Sequence, residues 1–195
     1  MDKGAIIMKQ NKGFLIILGG VLVVSLVLAF SAVQTQRVQA AFLEKYALTG
    51  LDVQTIVKKL DSSIDEPKEL SSSINGEYLT LQDGERKVVL EVPKDSFYLS
   101  FAPYENSTHP CGFHSLSGCR GELVNVVVHA LITDSKGAVI LDEELETMDN
   151  GFIGVWLPRD MNLNIAVHYN GKVASAPIST FVDSETCLTT PLKLN

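Results

Sequence analysis

The sequence predicts a mainly β protein: an antiparallel two-sheet sandwich with a short N-terminal helix, preceded by an apolar export or anchor helix. Two observations favour the sandwich. From Glu77 onward, nine short runs rich in β-branched and aromatic residues are separated by turn residues, as is typical of all-β domains. The turns contain pairs that supply the positive φ of tight hairpins, which join antiparallel strands: Asp83-Gly84, Lys136-Gly137, Asn150-Gly151 and Asn170-Gly171.

Each of the nine runs is predicted to be one strand. In Leu163–Tyr169, apolar residues alternate with more polar ones, so one face is buried and the other is solvated. The predicted strands are Tyr78–Leu81, Lys87–Val92, Phe97–Phe101, Leu123–Thr133, Val139–Leu145, Phe152–Leu157, Leu163–Tyr169, Lys172–Ile178 and Leu188–Leu194.

The first forty residues have the order of an export signal. Lys3, Lys9 and Lys12 precede an apolar run at residues 14–32. This run is longer than the usual signal core of about 7–15 residues and approaches the ~20 residues that span a bilayer. Residues 1–40 are therefore predicted to be either a cleaved signal peptide or an uncleaved membrane anchor. In both cases the rest of the chain lies outside the cytoplasm, in the periplasm or at the cell surface.

Residues 41–76 are predicted to contain a short helix and a linker. Asp52 is a candidate N-cap for a helix with one apolar face, formed by Val53, Ile56, Val57 and Leu60. The stretch from Asp61 to Gly76 is rich in Ser, Asp and Glu, and its composition predicts a linker or loop. Residues 77–195 then form the sandwich domain.

The charge of the exported part argues against a nucleic-acid partner. The whole chain carries a formal charge of −7, and without residues 1–40 it has 12 basic and 22 acidic side chains, a charge of −10. An acidic surface without a basic stripe repels phosphate backbones, so cations are better partners. Serine hydrolase and phosphate-loop motifs are absent from the sequence, and conventional catalysis is not expected.

A long loop between two predicted strands carries most of the chemically reactive side chains. It contains His109, Cys111, His114 and Cys119, and the third cysteine, Cys187, precedes the last predicted strand. Loops of this length inside a compact domain are more often functional than idle. We expect the antiparallel sandwich to bring Cys187 beside the loop.

The chemistry of these side chains leaves several uses open. Thiolate sulfur selects soft cations, Cu(I) first and Zn(II) as its common competitor, while imidazole serves either. Alternatively, two of the three cysteines form a structural disulfide, as is usual in an oxidising compartment. An odd thiol then remains, which suggests metal ligation, redox chemistry or pairing between molecules. Arg120 is expected either to lower the pKa of the Cys119 thiol or to be an ordinary surface residue.

The segment His109 to Leu123, His-Pro-Cys-Gly-Phe-His-Ser-Leu-Ser-Gly-Cys-Arg-Gly-Glu-Leu, resembles the signature of the CueP family of exported copper-binding proteins. Other stretches resemble that family in the same order, and the resemblance covers essentially everything after residue 41. These stretches are Ser96 to Tyr104, Asp149 to Gly154, Trp156 to Asp160 and Thr186 to Thr190.

The resemblance implies an extracytoplasmic protein that buffers Cu(I), contributes to copper tolerance and delivers the metal to a copper-dependent client enzyme. The family's cysteines correspond to Cys111, Cys119 and Cys187, and its loop histidine to His114, with His109 as a further candidate ligand. Cu(II) and Zn(II) are alternative ions.

The resemblance also implies thiol redox behaviour. In this alternative the chain is a thiol-disulfide oxidoreductase, in which a disulfide of Cys111 and Cys187 exchanges with Cys119 and Cu(II) is reduced. A thiol-reducing partner is then expected. An uncleaved run at residues 14–32 would add the membrane as a partner.

Overall fold

The computed structural model describes residue 30, residues 33–62, residue 64 and residues 67–195. The chain divides into two compact units, Met1–Thr49 and Gly50–Asn195. In the first unit, residues 33–45 form helix α1. The predicted signal or anchor run at residues 14–32 lies outside the described residues, apart from Phe30. None of the helices in the described ranges combines the length and the apolar character needed to cross a membrane.

Helix α2, Val53–Asp61, opens the second unit and confirms the short predicted helix. The Asp52 side chain caps it by accepting a hydrogen bond from the Thr55 N–H at 2.7 Å. The apolar face is buried through Ile56, Val57 and Leu60. The last residue, Asp61, is also fully buried, although it is acidic.

Eleven strands follow among the described residues, and nearly all neighbours in the sheets are antiparallel. They are β1 (Leu70–Ile74), β2 (Tyr78–Asp83), β3 (Arg86–Glu91), β4 (Ser96–Phe101), β5 (His114–Ser115), β6 (Val127–Asp134), β7 (Val139–Glu146), β8 (Ile153–Pro158), β9 (Asn162–Tyr169), β10 (Lys172–Ser179) and β11 (Cys187–Leu188).

These strands form three sheets, where two were predicted. Their orders are β3-β2-β1-β5, β10-β9-β6-β7 and β11-β4-β8. The mainly β, antiparallel prediction is confirmed by the hairpins β2–β3, β6–β7 and β9–β10. The exception is β11, which pairs in parallel with β4 and places Cys187 opposite Ser100. A core shared by the second and third sheets includes Phe97, Phe101, Ile132 and Ile165.

The predicted linker contains a strand. Leu70–Ile74 is β1, in which Leu70, Ser72 and Ile74 are buried and alternate with more exposed positions. Three consecutive serines hide this alternation from a reading based on composition, because serine is typical of turns and loops. The strand matters for function because β1 pairs with β5 and so holds His114.

Two further strand boundaries differ from the prediction. The run predicted at Leu123–Thr133 begins only at Val127, because Asn125 takes a left-handed φ of 53° just before it. The run predicted at Leu188–Leu194 is a strand for only Cys187–Leu188. Beyond it the chain turns, with the Leu192 N–H donating to the Thr189 carbonyl at 2.9 Å.

Candidate metal centre

Four of the predicted site residues lie together in the second unit. Cys111, His114, Cys119 and Cys187 each offer one ligand atom, and these four atoms all lie within 4.8 Å of one another. His114, Cys119 and Cys187 are buried, whereas Cys111 is partly exposed. The prediction that the fold brings Cys187 beside the loop is therefore confirmed.

Short backbone contacts hold the loop against β11. The Cys187 N–H donates to the Gly112 carbonyl at 3.1 Å, which ties the strand to the loop beside Cys111. The Cys119 N–H donates to the Ser115 carbonyl at 3.0 Å, so the loop turns back towards His114. The Thr186 hydroxyl accepts from the His114 N–H at 3.0 Å and donates to the Ile74 carbonyl at 2.7 Å. One hydroxyl, on the residue just before β11, thus connects β1 and β5.

Two of the three sulfur atoms are joined in a disulfide, and the third is a free thiol. Cys111 and Cys187 form a disulfide across 76 positions of the chain, with their Cα atoms 5.6 Å apart. Cys119 is a free, buried thiol. Its sulfur lies 3.5 Å from the sulfur of Cys111. Metal ligation by all three sulfurs therefore requires that the disulfide first be reduced.

The His114 ring is fully buried, and only one of its nitrogens has a partner. Nε2 lies 2.7 Å from Oδ1 of Asp61, which is equally buried. Nδ1 has no hydrogen-bond partner. The ring packs beside Phe152, with the ring centroids 4.9 Å apart. Since Nε2 is occupied by a carboxylate, Nδ1 is the nitrogen left to bind an ion.

The Cys119 thiol is activated by its neighbours. Burial raises its pKa, but the neighbouring His114 and His109 side chains and the positive charge of His114 outweigh burial and bring the pKa down to about 7. A substantial fraction of Cys119 is therefore thiolate at neutral pH. Thiolate is the form that both binds metal and attacks disulfides.

The pKa of the His114 imidazole shifts in the opposite direction, upwards. Burial lowers its pKa, but the hydrogen bond to Asp61 and the nearby Cys119 sulfur, together with the negative charges of both groups, raise the pKa to about 9. Between these two pKa values, the metal-free site therefore favours a protonated imidazole beside a thiolate. Binding of a metal at Nδ1 must displace that proton.

A group of residues around Asp61 was missed by sequence reasoning. Its carboxylate contacts the Tyr98 hydroxyl and accepts from the Asn150 side-chain amide at 2.9 Å. The same amide donates to the Asp61 backbone carbonyl at 2.6 Å. Burial and the negative charge of Asp61 raise the pKa of Tyr98 well above its usual value. An acidic residue at the end of an amphipathic helix was the available signal, but it lay in the segment predicted as a linker.

Two other residues considered for the site, His109 and Arg120, are not in the group of four ligand residues. The His109 side chain nevertheless helps to lower the pKa of the Cys119 thiol. Arg120 donates to the Cys119 backbone carbonyl at 2.7 Å and to that of Ser117 at 3.2 Å. It braces the loop backbone and is not among the groups that lower the thiol pKa.

The donor set fits a soft cation. Three sulfurs and one imidazole nitrogen, walled by Ala102 and Phe152, match the preference of Cu(I) for thiolate and imidazole. The Met148 side chain packs against the same buried group. The unpartnered Nδ1 of His114 also fits this use, because a buried polar atom without a partner is costly unless a ligand satisfies it.

Comparisons with known proteins agree with this chemistry. A family model described as "Periplasmic copper-binding protein CueP" matches residues 55–192. A solved structure described as "Crystal Structure of S.CueP" is 50% identical in sequence, with a TM-score of 0.77. The alignment covers 80% of this chain and 96% of the other. The comparison with curated proteins gives no match.

Proposed function

The chain belongs to the CueP family of periplasmic copper-binding proteins, and on this premise we propose that it holds Cu(I) through Cys111, Cys119, Cys187 and Nδ1 of His114. The observation that carries the proposal is the gathering of these four ligand atoms within 4.8 Å. Three come from one loop and the fourth from β11, so only the folded chain assembles them.

Cu(I) is the expected cargo for chemical reasons. Thiolates are soft donors and Cu(I) is a soft ion, whereas the hard ions Mg²⁺ and Ca²⁺ prefer oxygen. Zn(II) is the main competitor, because three cysteines and one histidine also make a tetrahedral zinc site. The acidic balance of the exported part, −10 beyond residue 40, favours the approach of any cation.

Reduction of the disulfide precedes binding in this proposal. Opening the Cys111–Cys187 bond takes two electrons and two protons from a dithiol partner, which itself becomes a disulfide. The disulfide closes a loop of 76 positions, and such a cross-link stabilises a fold by about 2–4 kcal/mol. Because copper would bridge the same sulfurs, the metal replaces the cross-link that reduction removes.

The accessibility of the ligands supports a role in buffering and delivering copper. Cys187 and His114 are fully buried, whereas Cys111 and His109 are partly exposed. Copper would therefore enter and leave past Cys111 and His109. Phe113, between Cys111 and His114, is 59% exposed and offers a copper-dependent client an apolar contact beside this opening. Sequestering copper here would contribute to copper tolerance.

Thiol redox chemistry is the second candidate function, and the contact between Cys119 and Cys111 is the observation that favours it. The Cys119 thiolate lies 3.5 Å from a disulfide sulfur, within reach for exchange. In the reduced protein two thiolates would give one electron each to two Cu(II) ions, yielding a disulfide and two Cu(I). The family match favours metal binding as the main function.

The location outside the cytoplasm follows the family, and tethering is a separate proposal. The apolar run at residues 14–32 would hold the chain in the membrane if it is not cleaved. Fractionation of cells followed by alkaline extraction of the membranes tests this. An extractable chain that begins near residue 41 would refute the tether and leave the copper site unaffected.

A competition titration tests the main proposal. The full-length chain is reduced, loaded with Cu(I) and titrated with a Cu(I) chelator of known affinity. We expect one tightly held Cu(I), and a Cys119→Ser variant that binds at least tenfold more weakly. His129→Gln, on an exposed sheet face, is the control. Equal affinities of the wild type and Cys119→Ser would remove Cys119 from the ligand set.

A further inference from the structure

We propose that Asp61 is a positioning residue for copper: it holds the Nε2–H of His114 so that Nδ1 is presented to the three sulfurs. The inference rests on the proposed function and extends it to a residue that is not a ligand. Asp61 ends helix α2, whereas His114 lies in β5. Their side chains meet across 53 positions of the chain, with Nε2 and Oδ1 2.7 Å apart.

The Asp61 carboxylate is itself fixed in place. Oδ1 accepts from the Asn150 amide at 2.9 Å as well as from His114. Oδ2 accepts from the Tyr98 hydroxyl and lies 3.4 Å from the Ser100 hydroxyl. The side chain is fully buried. A carboxylate with both oxygens engaged in this way cannot turn, so its direction sets the direction of the His114 ring.

The carboxylate also selects which nitrogen of His114 is free. A neutral imidazole donates from one nitrogen and accepts at the other, and the hydrogen bond of the first decides which is which. A carboxylate accepts only, so the ring places its proton on Nε2. The lone pair is left on Nδ1, which has no hydrogen-bond partner although it is buried. Once Nδ1 has given up its proton, its lone pair and the three sulfurs make up the donor set that an arriving cation would complete.

Such a carboxylate has a measurable effect on metal affinity. A partner that holds the second nitrogen of a ligating histidine orients the ring and makes it a better donor, and its loss weakens metal binding about 10–100-fold. A matched control lies on the surface of the second sheet. His129 Nε2 and Asp142 Oδ1 are also 2.7 Å apart, but the side chains are 37% and 55% exposed and belong to no sulfur cluster.

Cu(I) competition titrations on the reduced full-length chain test the inference with three variants. We expect Asp61→Asn to weaken Cu(I) binding about 10–100-fold. His114→Gln, which removes the ligand, should weaken binding at least as much. Asp142→Asn should leave the affinity unchanged. Far-UV circular dichroism of each variant shows whether it is folded.

The variants separate this inference from the proposed function. Unchanged affinity in His114→Gln would remove His114 as a ligand and overturn both. A weakened His114→Gln with an unchanged Asp61→Asn would overturn the positioning role alone and leave the ligand set in place.

A measurement on the wild type decides the matter if Asp61→Asn does not fold. Nitrogen-15 NMR of the Cu(I)-loaded chain, labelled at histidine, reports which ring nitrogen carries the proton. We expect a proton on Nε2 of His114 and copper at Nδ1. A proton on Nδ1 with copper at Nε2 would overturn the inference.

Discussion

The sulfur of Cys119 lies 3.5 Å from the sulfur of Cys111, which is bonded to Cys187. A free thiol and a disulfide are therefore in contact within one site. The same three atoms supply the proposed copper ligands only when all are reduced. The redox state of the disulfide thus decides whether the site can hold metal.

Thiol counting and copper titration test this redox control. The oxidised chain should show one reactive thiol after unfolding and the reduced chain three, since the sequence has three cysteines. Only the reduced chain should take up Cu(I) tightly. Equal Cu(I) affinity of the two forms, with the disulfide intact, would contradict the gathering of all three sulfurs around one ion.

The position of Cys119 predicts a second disulfide when Cys187 is removed. In Cys187→Ser, Cys111 and Cys119 remain 3.5 Å apart, so mild oxidation should join them and leave no free thiol. Peptide mapping without reduction identifies the bond. Persistence of two free thiols under conditions that oxidise the wild type would show that the two sulfurs do not come into bonding range.

The reactivity of Cys119 should depend on pH through His114. The thiol pKa of about 7 predicts that alkylation of the oxidised chain by iodoacetamide reaches half its maximal rate near pH 7. In His114→Gln the favourable interaction with the charged imidazole is lost while burial remains, so the midpoint should move to higher pH. His129→Gln is the control and should keep the wild-type midpoint. An unmoved midpoint in His114→Gln would exclude the pairing.

The same pair shapes how stability depends on pH. The lowered pKa of Cys119 gives a contribution that is complete above its ordinary value of 9.0 and is lost as pH falls through about 7. The raised pKa of His114 gives a contribution that is complete below 6.5 and is lost as pH rises through about 9. The two slopes oppose each other between pH 7 and pH 9. In Cys119→Ser the first contribution is lost, and the second persists through Asp61 but is smaller, because Cys119 itself helps to raise the His114 pKa. Urea unfolding should therefore show stability falling as pH rises above 6.5.

Sequence patterns were sufficient for three of the four predicted hairpins. They were not sufficient for Asn150-Gly151, where β7 and β8 belong to different sheets, or for the number of sheets. The Asn-Gly pair at Asn170 and Gly171 marks the turn between β9 and β10, because its backbone requirement is local. The parallel pairing of β11 with β4 leaves no local signal, since it joins segments more than eighty positions apart. Strand β1 was hidden for another reason: its serines are typical of turns, and only packing makes Ser72 a buried strand residue.

The candidate site, like the fold, could be predicted only in part. The ligand types could be predicted because thiol and imidazole chemistry belongs to single residues such as Cys119 and His114. The spacing of these residues in the sequence could not show which of them come together in the fold. Asp61 was missed because its role depends on a contact with His114 that the tertiary fold creates. Its own neighbours in sequence indicated a solvated linker.

A glycine in β8 should be required for the packing of Tyr98. Gly154 lies two positions before the residue that pairs with Tyr98, and a Cβ at this position would overlap the Tyr98 hydroxyl and ring. Gly154→Ala should therefore displace Tyr98 from Asp61 and destabilise the fold by about 1–3 kcal/mol, measured by urea unfolding. Gly112→Ala is the control, because its added methyl meets only the Glu185 side chain at 3.5 Å. Equal stability of the two variants would contradict this packing.

The last prediction concerns Thr186, whose buried hydroxyl joins His114 to Ile74. Thr186→Val keeps the shape but leaves a buried N–H and a buried carbonyl without this partner, at a cost of about 1–3 kcal/mol for each such group. Thr180→Val is the matched control, since Thr180 is also buried and its hydroxyl accepts from the Met161 N–H at 3.0 Å, away from the cysteines. Both variants should unfold at lower urea concentration. Only Thr186→Val should also weaken Cu(I) binding, because it loosens the strand that carries His114. An unchanged Cu(I) affinity would show that β5 is held without this hydroxyl.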